Sequence, residues 1–471
     1  MRRLLSFMVA VCLSVYASAA SQFSVSHVPD SSRIRERLVE TWFEAPLSVV
    51  RMNMPEVHET PGGTFEVRME ETETTFSIVV APRAQLMVTT FSAAGERTEI
   101  QDVYYTDAPG SWVLTRSKAT GAPLFIRLYF SYNSDIFVQL SPVADGTASR
   151  TNVDFMLYNM YATRAVPLHM PFTRFYGVSL GTLVQWTART VPWHYADVYP
   201  GVYRAVKQMI GVIRNRLPDI VYREDALYDE RGNPISVATG KARVISAADG
   251  DKLSLSSCGF VKWIADGLVE PLAGGGLLRA PLIVPTVTNS AVGYQGVLSQ
   301  AYNLSLALDW TRNLASAIRA VESGVELRYP DSDVDVRLEP FVAESTPGGV
   351  ARVTGYLADN GYSMTQLRAL LYVLAVTDPG KFYFGAIRDT DRSRTVQTVA
   401  ADGTRTTEHL PEVKVFNTCV ALFPYFDDNG RFACAVFADG AEYELSSLIA
   451  QYRKEFIHLV RVNASDQFYP R

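Results

Sequence analysis

Hydrophobic and polar residues alternate along much of the first third of the chain. In the run T-F-E-V-R-M-E, Phe65, Val67 and Met69 alternate with charged residues, which is the two-residue period of a strand with one buried face. Six further runs follow, up to about residue 160: F-S-I-V-V-A, Q-L-M-V-T-T-F, S-W-V-L-T-R, L-F-I-R-L-Y-F, D-I-F-V-Q-L and V-D-F-M-L-Y. Short strands at this spacing predict an antiparallel β-sandwich-like domain over residues 20–165.

The later part of the chain mixes helical and strand patterns. Tyr199–Leu217 and Met364–Thr377 carry apolar residues at helical spacing. Val413–Phe423 and Arg431–Phe437 read as two strands joined by the turn D-D-N-G. We therefore predict an α+β domain over residues 235–471. Residues 166–234, which are rich in aromatic residues and contain the first helix, are predicted to connect the two domains.

The N-terminus has the pattern of a secretory signal. Met1-Arg2-Arg3 is followed by the apolar stretch Leu4–Tyr16 and then by Ala17-Ser18-Ala19. A basic head, a short apolar segment and a small-x-small site predict a signal peptide over residues 1–19. The mature protein is then periplasmic or otherwise exported. No second run of about 18 apolar residues follows, so we expect no transmembrane segment after signal removal.

Composition narrows the class of partner. The chain is 48% hydrophobic and 20% charged, with a formal net charge of −5. Because no basic stripe is present, we do not expect nucleic acid as a partner. After signal removal the cysteines are Cys258, Cys419 and Cys434. Their odd number leaves at least one free thiol, so a disulfide framework is not expected to hold the fold.

The stretch Leu253–Leu268 carries the strongest chemical signal. Ser256, Ser257 and Cys258 precede an apolar run at helical spacing, so their side chains can cap the start of a helix. Gly267 is a predicted stop for that helix. A thiol at a helix N-terminus feels the positive end of the helix dipole, which favours the nucleophilic thiolate.

The sequence S-S-C-G-F-V-K-W-I within this stretch resembles the nucleophile helix of NlpC-type papain-like cysteine amidases, whose signature is D-C-S-G-F-V. The resemblance implies a papain-like domain, with helices packed against an antiparallel sheet. If Gly259 is aligned with the glycine of the family, the family's cysteine falls on Ser257 and Cys258 replaces its serine. Either Cys258 is the nucleophile or the site has decayed. On the second alternative, Ser257 is a cap and Cys258 a small buried residue.

A papain-like site also needs a histidine that accepts the thiol proton. The resemblance implies that this base lies on the strand facing the nucleophile helix, but Val413–Phe423 contains no histidine. His409, just before that strand, is the remaining candidate for the base. Asn417 within the strand is a candidate for substrate binding. His458 alternates with apolar neighbours and is interpreted as a core or sheet-surface histidine.

A second polar cluster, Asp309-Trp310-Thr311-Arg312-Asn313, follows the proposed nucleophile helix in sequence. Asp309, Trp310 and Arg312 are candidates for substrate binding. The alternative is that Asp309 caps a helix, Trp310 packs and Arg312 lies on the surface. No metal site is expected, because the chain lacks His-Glu-x-x-His and Cys-x-x-Cys motifs. No cofactor is expected either.

Two functions remain open at this stage. The first is an exported amidase or peptidase that hydrolyses amide bonds in peptidoglycan stem peptides, with Cys258 as nucleophile and His409 as base. The second is a catalytically inactive papain-like domain that binds peptidoglycan or a cell-envelope protein. The displaced cysteine and the strand without histidine favour the second function.

Overall fold

The computed structural model describes residues 24–92, 95–143, 150–287, 305–346, 349–352, 355–391, 395–399, 405–409 and 412–471. The predicted signal peptide lies outside these residues. The chain divides into two compact units. The first unit comprises Met1–Gly201 with Phe426–Phe432, and the second comprises Val202–Tyr425 with Ala433–Arg471. The predicted connector over residues 166–234 is thus shared between the two units.

The first unit consists mainly of strands, with short helices at both ends. Its helices are α1 Ser32–Leu38, α2 Leu47–Val50 and α3 Leu180–Thr187. Its strands are β1 Glu56–Thr60, β2 Gly63–Glu71, β3 Thr75–Pro82, β4 Ala84–Ser92, β5 Gly95–Val103, β6 Trp112–Ser117, β7 Pro123–Tyr129, β8 Ile136–Pro142, β9 Thr151–Leu157 and β10 Met160–Leu168. Each of the seven runs predicted to be strands forms one.

The arrangement of these strands differs from the predicted sandwich. Eight strands form a single antiparallel sheet in the order β1-β2-β3-β6-β7-β8-β9-β10, and β4 pairs with β5 in a separate hairpin. Residues on one face of the sheet, such as Phe65, Val67 and Ile78, are fully buried. Alternation predicts which face of a strand is buried but not which sheet the strand joins, so the sequence pattern alone did not exclude a second sheet.

The second unit combines helices with a larger set of short and long strands. Its helices are α4 Arg204–Arg216, α5 Ser257–Ala273, α6 Arg279–Leu282, α7 Leu306–Ser323, α8 Leu367–Thr377 and α9 Leu445–Gln451. Its strands are β11 Ile220–Tyr222, β12 Ala226–Tyr228, β13 Pro234–Ser236, β14 Leu253–Leu255, β15 Glu344–Thr346, β16 Gly349–Arg352, β17 Tyr362–Ser363, β18 Lys381–Asp391, β19 Thr395–Val399, β20 Arg405–His409, β21 Val413–Phe426, β22 Phe432–Ala438, β23 Ala441–Tyr443 and β24 Phe456–Asn463.

The main sheet of the second unit has six strands in the order β17-β24-β18-β21-β22-β23. The predicted hairpin over residues 413–437 is present as β21 and β22. Helices α5 and α7 pack against each other, and α7 also packs on β18 and β24. Ala386 of β18 pairs with Cys419 of β21 on one side and with His458 of β24 on the other. Because directly opposite residues project to the same face of a sheet, these three residues form one row.

Both units together therefore give a mixed α+β protein with two large antiparallel sheets. Within the described residues, no helix is long and apolar enough to cross a membrane.

Helix α5 begins where predicted but ends later. It continues through Gly267 to Ala273, and Gly274 ends it in the left-handed conformation with φ of 75°. Gly267 has a packing role instead. A Cβ atom at Gly267 would lie 2.7 Å from the Phe468 ring and 3.0 Å from Pro470, so only glycine lets the last residues of the chain approach the helix this closely. Predicting Gly267 as a stop was wrong.

Candidate functional site

The first turn of α5 is anchored on strand β12. Ser256 is the N-cap, and its Oγ accepts a hydrogen bond from the Gly259 amide at 3.2 Å. The same hydroxyl donates to the Ala226 carbonyl at 2.9 Å. A Cβ atom at Gly259 would lie only 2.4 Å from that carbonyl oxygen. The predicted cap is therefore confirmed, and Gly259 allows the helix start to lie directly against the strand.

Ser257 occupies the position on which the family's cysteine falls in the alignment. Its side chain is mostly buried, and its Oγ lies 3.5 Å from the main-chain carbonyl of Asn417 on β21. The Asn417 residue itself is exposed. The structure thus brings two of the predicted site residues together. An asparagine side chain is not a proton acceptor of useful basicity, so this pair holds no general base for the hydroxyl.

Cys258 points into the interior of the second unit. It is 4% exposed, and its Sγ lies 3.6 Å from the Sγ of Cys419, which is completely buried. The Cys419 Sγ also lies 4.0 Å from the Ala307 carbonyl of α7. Burial, together with the contact to Cys258, raises the pKa of the Cys419 thiol well above its usual value. A neutral thiol, not an imidazole, therefore faces the candidate nucleophile.

Trp310 supports the same helix start from α7. Its indole Nε1 donates a hydrogen bond to the Cys258 carbonyl at 2.9 Å, and the residue is completely buried. The structure therefore brings Trp310 next to Cys258, as a predicted site would require. Its contact is to the main chain of α5, and the ring packs in the core.

The predicted base His409 and the other histidine of interest, His458, belong to other strands. His409 ends β20, where it pairs with Thr395 of β19 in a hairpin outside the six-stranded sheet. The position of its side chain lies outside what the structure describes. His458 is on β24, two strands away from Cys419. Among the described residues, no histidine nitrogen forms a hydrogen bond with the Cys258 sulfur. The predicted Cys258–His409 pair thus stays a prediction.

Arg312 is the centre of a buried polar cluster, not a surface residue. Its guanidinium makes two hydrogen bonds to Asp335, at 3.2 and 3.0 Å, and lies 3.0 Å from the Asp359 carboxylate. It also lies 3.2 Å from Nε2 of His458, which contacts the Tyr356 hydroxyl at the same distance. Arg312, Asp335 and His458 are each at most 2% exposed. We call this set the Arg312 cluster.

Opposite charges determine the ionisation of the Arg312 cluster. Burial lowers the pKa of Arg312, but Asp335 and Asp359 outweigh burial and raise it. Burial raises the pKa of Asp335, yet hydrogen bonds and charges from His458 and Arg312 hold it well below its usual range. Burial lowers the pKa of His458 despite the nearby Asp335 carboxylate. The ring is therefore neutral at physiological pH, and its partners are fixed groups of the protein.

Asp309 is also buried, and its carboxylate holds a loop residue, Thr286, against helix α7. The helix begins at Leu306, so the expected cap role at Asp309 is wrong. One carboxylate oxygen accepts hydrogen bonds from both the amide and the hydroxyl of Thr286, each at 2.7 Å. Burial raises the pKa of Asp309, and the two hydrogen bonds oppose that shift.

A cavity of about 300 Å³ lies along a different side of α5. Successive α-helical residues are turned by about 100°, so Gly259, Trp263 and Glu270 face well away from Cys258, which does not line the cavity. The cavity is lined by Tyr228, Arg231, Gly259, Lys262, Trp263, Asp266 and Glu270, among others. Its walls therefore combine aromatic surface with groups of both charges.

Lys262 is the notable polar group of this cavity. Its side chain is 1% exposed, and its ammonium lies 2.5 Å from the Asp266 carboxylate. Burial raises the pKa of Asp266, although Lys262 favours its charged form. An ammonium has three N–H donors. One of them is donated to Asp266, and at 1% exposure the Lys262 side chain lies behind the cavity surface, where it contributes charge and few direct contacts.

Sequence reasoning missed Asp335 as the partner of Arg312, and it missed the Lys262–Asp266 pair. The second had a local signal, because a lysine and an aspartate four residues apart on an apolar helix can pair. The first had none, since Arg312 and Asp335 meet only after the chain folds. In the described part of the chain, no group of three or more His, Cys, Asp or Glu side chains is placed to hold a metal ion.

The fold defines a mixed α+β protein with a helix start held against an antiparallel sheet. Residues 24–195 are similar to a family described as a domain of unknown function (DUF8515). This match ends before the second unit begins. No curated protein matches the chain, and no solved structure does either.

Proposed function

We propose that the protein is exported to the cell envelope and that its second unit is a papain-like domain of the NlpC type that binds peptidoglycan stem peptides without cleaving them. The observation that carries this proposal is the contact between the buried sulfurs of Cys258 and Cys419, 3.6 Å apart. The resemblance of the α5 sequence supplies the family, and the geometry at its first turn favours binding over hydrolysis.

Hydrolysis of an amide by a papain-like site requires a thiolate, an imidazole and an open cleft. At the aligned position, the hydroxyl of Ser257 faces the backbone of Asn417. One residue later, the sulfur of Cys258 is buried against another thiol. Among the described residues, neither position meets all three requirements: Ser257 has no thiol and no base, and Cys258 has neither a base nor access for a substrate. This combination supports a domain that keeps the papain-like fold but does not hydrolyse amide bonds.

The cavity along α5 is the best candidate for the binding site. Stem peptides are short chains that carry free carboxylates and amides, so they offer negative charges and hydrogen-bond acceptors. The exposed Arg231 guanidinium offers donors to a carboxylate at the cavity, and Trp263 and Tyr228 offer apolar walls. Charge-assisted hydrogen bonds of this kind are about twice as strong as neutral ones. Small-ligand sites are typically clefts of about 300–1,000 Å³, and this cavity of about 300 Å³ is at the lower end of that range.

Incubation with purified peptidoglycan tests the loss of hydrolysis. We expect that neither the wild-type protein nor Cys258→Ala releases soluble stem-peptide fragments, while a known cell-wall amidase does so under the same conditions. Release by the wild type that is lost in Cys258→Ala would instead support the catalytic alternative, with Cys258 as nucleophile and His409 as base.

Cosedimentation with insoluble peptidoglycan tests binding. Arg231 lies at the cavity, is exposed and can be reversed without touching the core. We expect Arg231→Glu to weaken binding by about three- to tenfold, which corresponds to roughly 1 kcal/mol for one rim charge. Arg328→Glu is the matched control, because Arg328 is 83% exposed and does not line the cavity. Equal binding by both variants would contradict the assignment of the cavity, and no binding by the wild type would contradict the proposed ligand.

A further inference from the structure

Two cysteines that are far apart in sequence meet in the interior of the second unit. Cys258 is in the first turn of α5, and Cys419, 161 residues later, is in the centre of β21. Their sulfurs are 3.6 Å apart, which is close to van der Waals contact, and both residues are almost fully buried. No other cysteine is recorded at this contact among the described residues, where Cys434 is half-buried with its sulfur near the Ala435 carbonyl.

The elements that carry the two thiols are held in place independently of the sulfurs. The Ser256 cap and the Trp310 hydrogen bond fix the start of α5. Cys419 pairs with Ala386 in the middle of the six-stranded sheet. A disulfide has a sulfur–sulfur distance of about 2.05 Å, so bond formation requires the sulfurs to approach by about 1.5 Å. Small side-chain rotations at the two residues provide a movement of this size.

We propose that Cys258 and Cys419 form a disulfide bond that ties the start of α5 to strand β21 when the chain folds in an oxidising compartment. This is a structural cross-link at the position from which the papain-like site would act. It uses the two cysteines that contact each other and leaves Cys434 as the free thiol, in agreement with the odd number of cysteines after signal removal.

The reaction is a thiol–disulfide exchange with an external disulfide as oxidant. One cysteine thiolate attacks the oxidant disulfide, which forms a mixed disulfide and releases one thiol of the oxidant. The thiolate of the second cysteine then attacks the mixed disulfide at the protein sulfur and releases the second thiol. The two cysteines lose two protons and two electrons in total, and the oxidant disulfide is reduced to two thiols.

The order of events follows from burial. In the folded unit Cys419 is inaccessible, and burial disfavours its thiolate. The exchange therefore takes place late in folding, while α5 docks on the sheet and the two thiols are close together but not yet enclosed. The native contact then selects this pairing over either pairing with Cys434, because only Cys258 and Cys419 are held together.

Peptide mapping tests the pairing directly. The full chain is exported to an oxidising compartment or refolded with oxidised glutathione, denatured without reductant, treated with iodoacetamide and digested. We expect one cross-linked peptide pair containing Cys258 and Cys419, with Cys434 alkylated. Quantitative alkylation of Cys258 and Cys419, or a cross-link that includes Cys434, would overturn the proposal.

Thermal unfolding with and without reductant supplies a second readout. Reduction should lower the Tm of the second unit by roughly 5–10 °C, since disulfides typically contribute a few kcal/mol. The same response is expected for Cys434→Ala, whereas a Cys258→Ala/Cys419→Ala double variant should show no response to reductant. A double variant that stays sensitive to reductant would contradict the pairing. Because the disulfide does not depend on a ligand, its absence leaves peptidoglycan binding to be judged on its own experiments.

Discussion

Both units bury an arginine, and the two arginines differ in the groups that surround them. In the first unit, Arg35 is 1% exposed and donates hydrogen bonds to the main-chain carbonyls of Phe175, Tyr176 and Val178, at 3.4, 2.5 and 2.9 Å. Burial lowers the pKa of Arg35 to about 10, although the Asp30 carboxylate opposes this shift. In the second unit, Arg312 is equally buried but faces the carboxylates of Asp335 and Asp359.

The difference separates a structural contact from a potential site. The Arg35 guanidinium joins α1 to a segment some 140 residues later through main-chain carbonyls, which fixes the path of the chain, and its carboxylate neighbour, Asp30 at 3.7 Å, is half-exposed to water. Arg312 belongs to a set of buried ionisable groups, and such sets are enriched at functional sites. The Lys262–Asp266 pair is also in the second unit. These buried ionisable groups therefore place the candidate functional site in the second unit and not in the sheet of the first.

The comparison predicts that removal of Arg312 has the largest effect. Arg312→Met leaves the buried Asp335 carboxylate with the half-exposed Arg337 as its remaining arginine partner, at 3.1 Å, and breaking a buried pair on one side costs up to about 3–5 kcal/mol. We expect a loss of this size in the free energy of unfolding, measured by urea denaturation. Arg328→Met, on the exposed surface, should change it by less than about 0.5 kcal/mol. If Arg312→Met lowered the free energy of unfolding by less than about 1 kcal/mol, water would have to solvate Asp335 in place of the guanidinium, and the cluster would be accessible to water.

Removal of Arg35 should have a smaller effect. Arg35→Met leaves carbonyl groups without their donor but creates no uncompensated charge, so we expect a loss of about 2–3 kcal/mol. Native-state hydrogen exchange should locate the loss in the strands of the first unit, with protection in β18 and β24 unchanged. Arg33→Met, an exposed substitution on the same helix, is the control. If Arg35→Met and Arg312→Met lowered the free energy of unfolding equally, the expectation that loss of a charged partner costs more would be contradicted.

The local pattern of the sequence predicted elements better than it predicted their assembly. Runs such as Thr64–Glu70 formed strands because alternation places one face in the core, whatever the neighbours are. The choice between a single sheet and a sandwich depends on which strands pair, and alternation holds no information on pairing. Gly267 illustrates the same limit, since its role is set by Phe468 and Pro470, about 200 residues away.

The candidate site was predictable in its first turn and not beyond it. Ser256, Ser257 and Cys258 are adjacent in sequence, so the cap at the helix start follows from residue types. The direction of the Cys258 sulfur depends on the rotation of α5 against the sheet, and its partner Cys419 is 161 residues later. The environment of Arg312 likewise arises from Asp335 and His458, which come from separate segments. Contacts of this kind follow from packing and have no signature in one sequence.

The pH dependence of stability provides the smallest and most selective test of the comparison. His458 is neutral in the folded state because burial lowers its pKa, although the facing Asp335 carboxylate favours the proton while Arg312 opposes it. In the unfolded chain the ring takes up a proton below its ordinary pKa of about 6.5. The unfolded state therefore binds more protons in this range, and the stability due to neutral His458 is lost as pH falls below about 6.5.

We expect the free energy of unfolding to fall between pH 7 and pH 5 with a slope of at most about 1.4 kcal/mol per pH unit from this one group. His458→Gln should reduce that slope.

Asp335 does not contribute in this window, because its pKa is held low in the folded state and its stabilisation is lost only at lower pH. Asp266 and Asp309, whose pKa values are raised, are present in both proteins and cancel in the difference. The matched control is His194→Gln, at an exposed residue of the first unit, which leaves the Arg312 cluster untouched and should keep the wild-type slope. If His458→Gln and the wild type showed the same slope, the buried imidazole would have to take up its proton over the same pH range in the folded protein as in the unfolded chain, and burial would not hold it neutral.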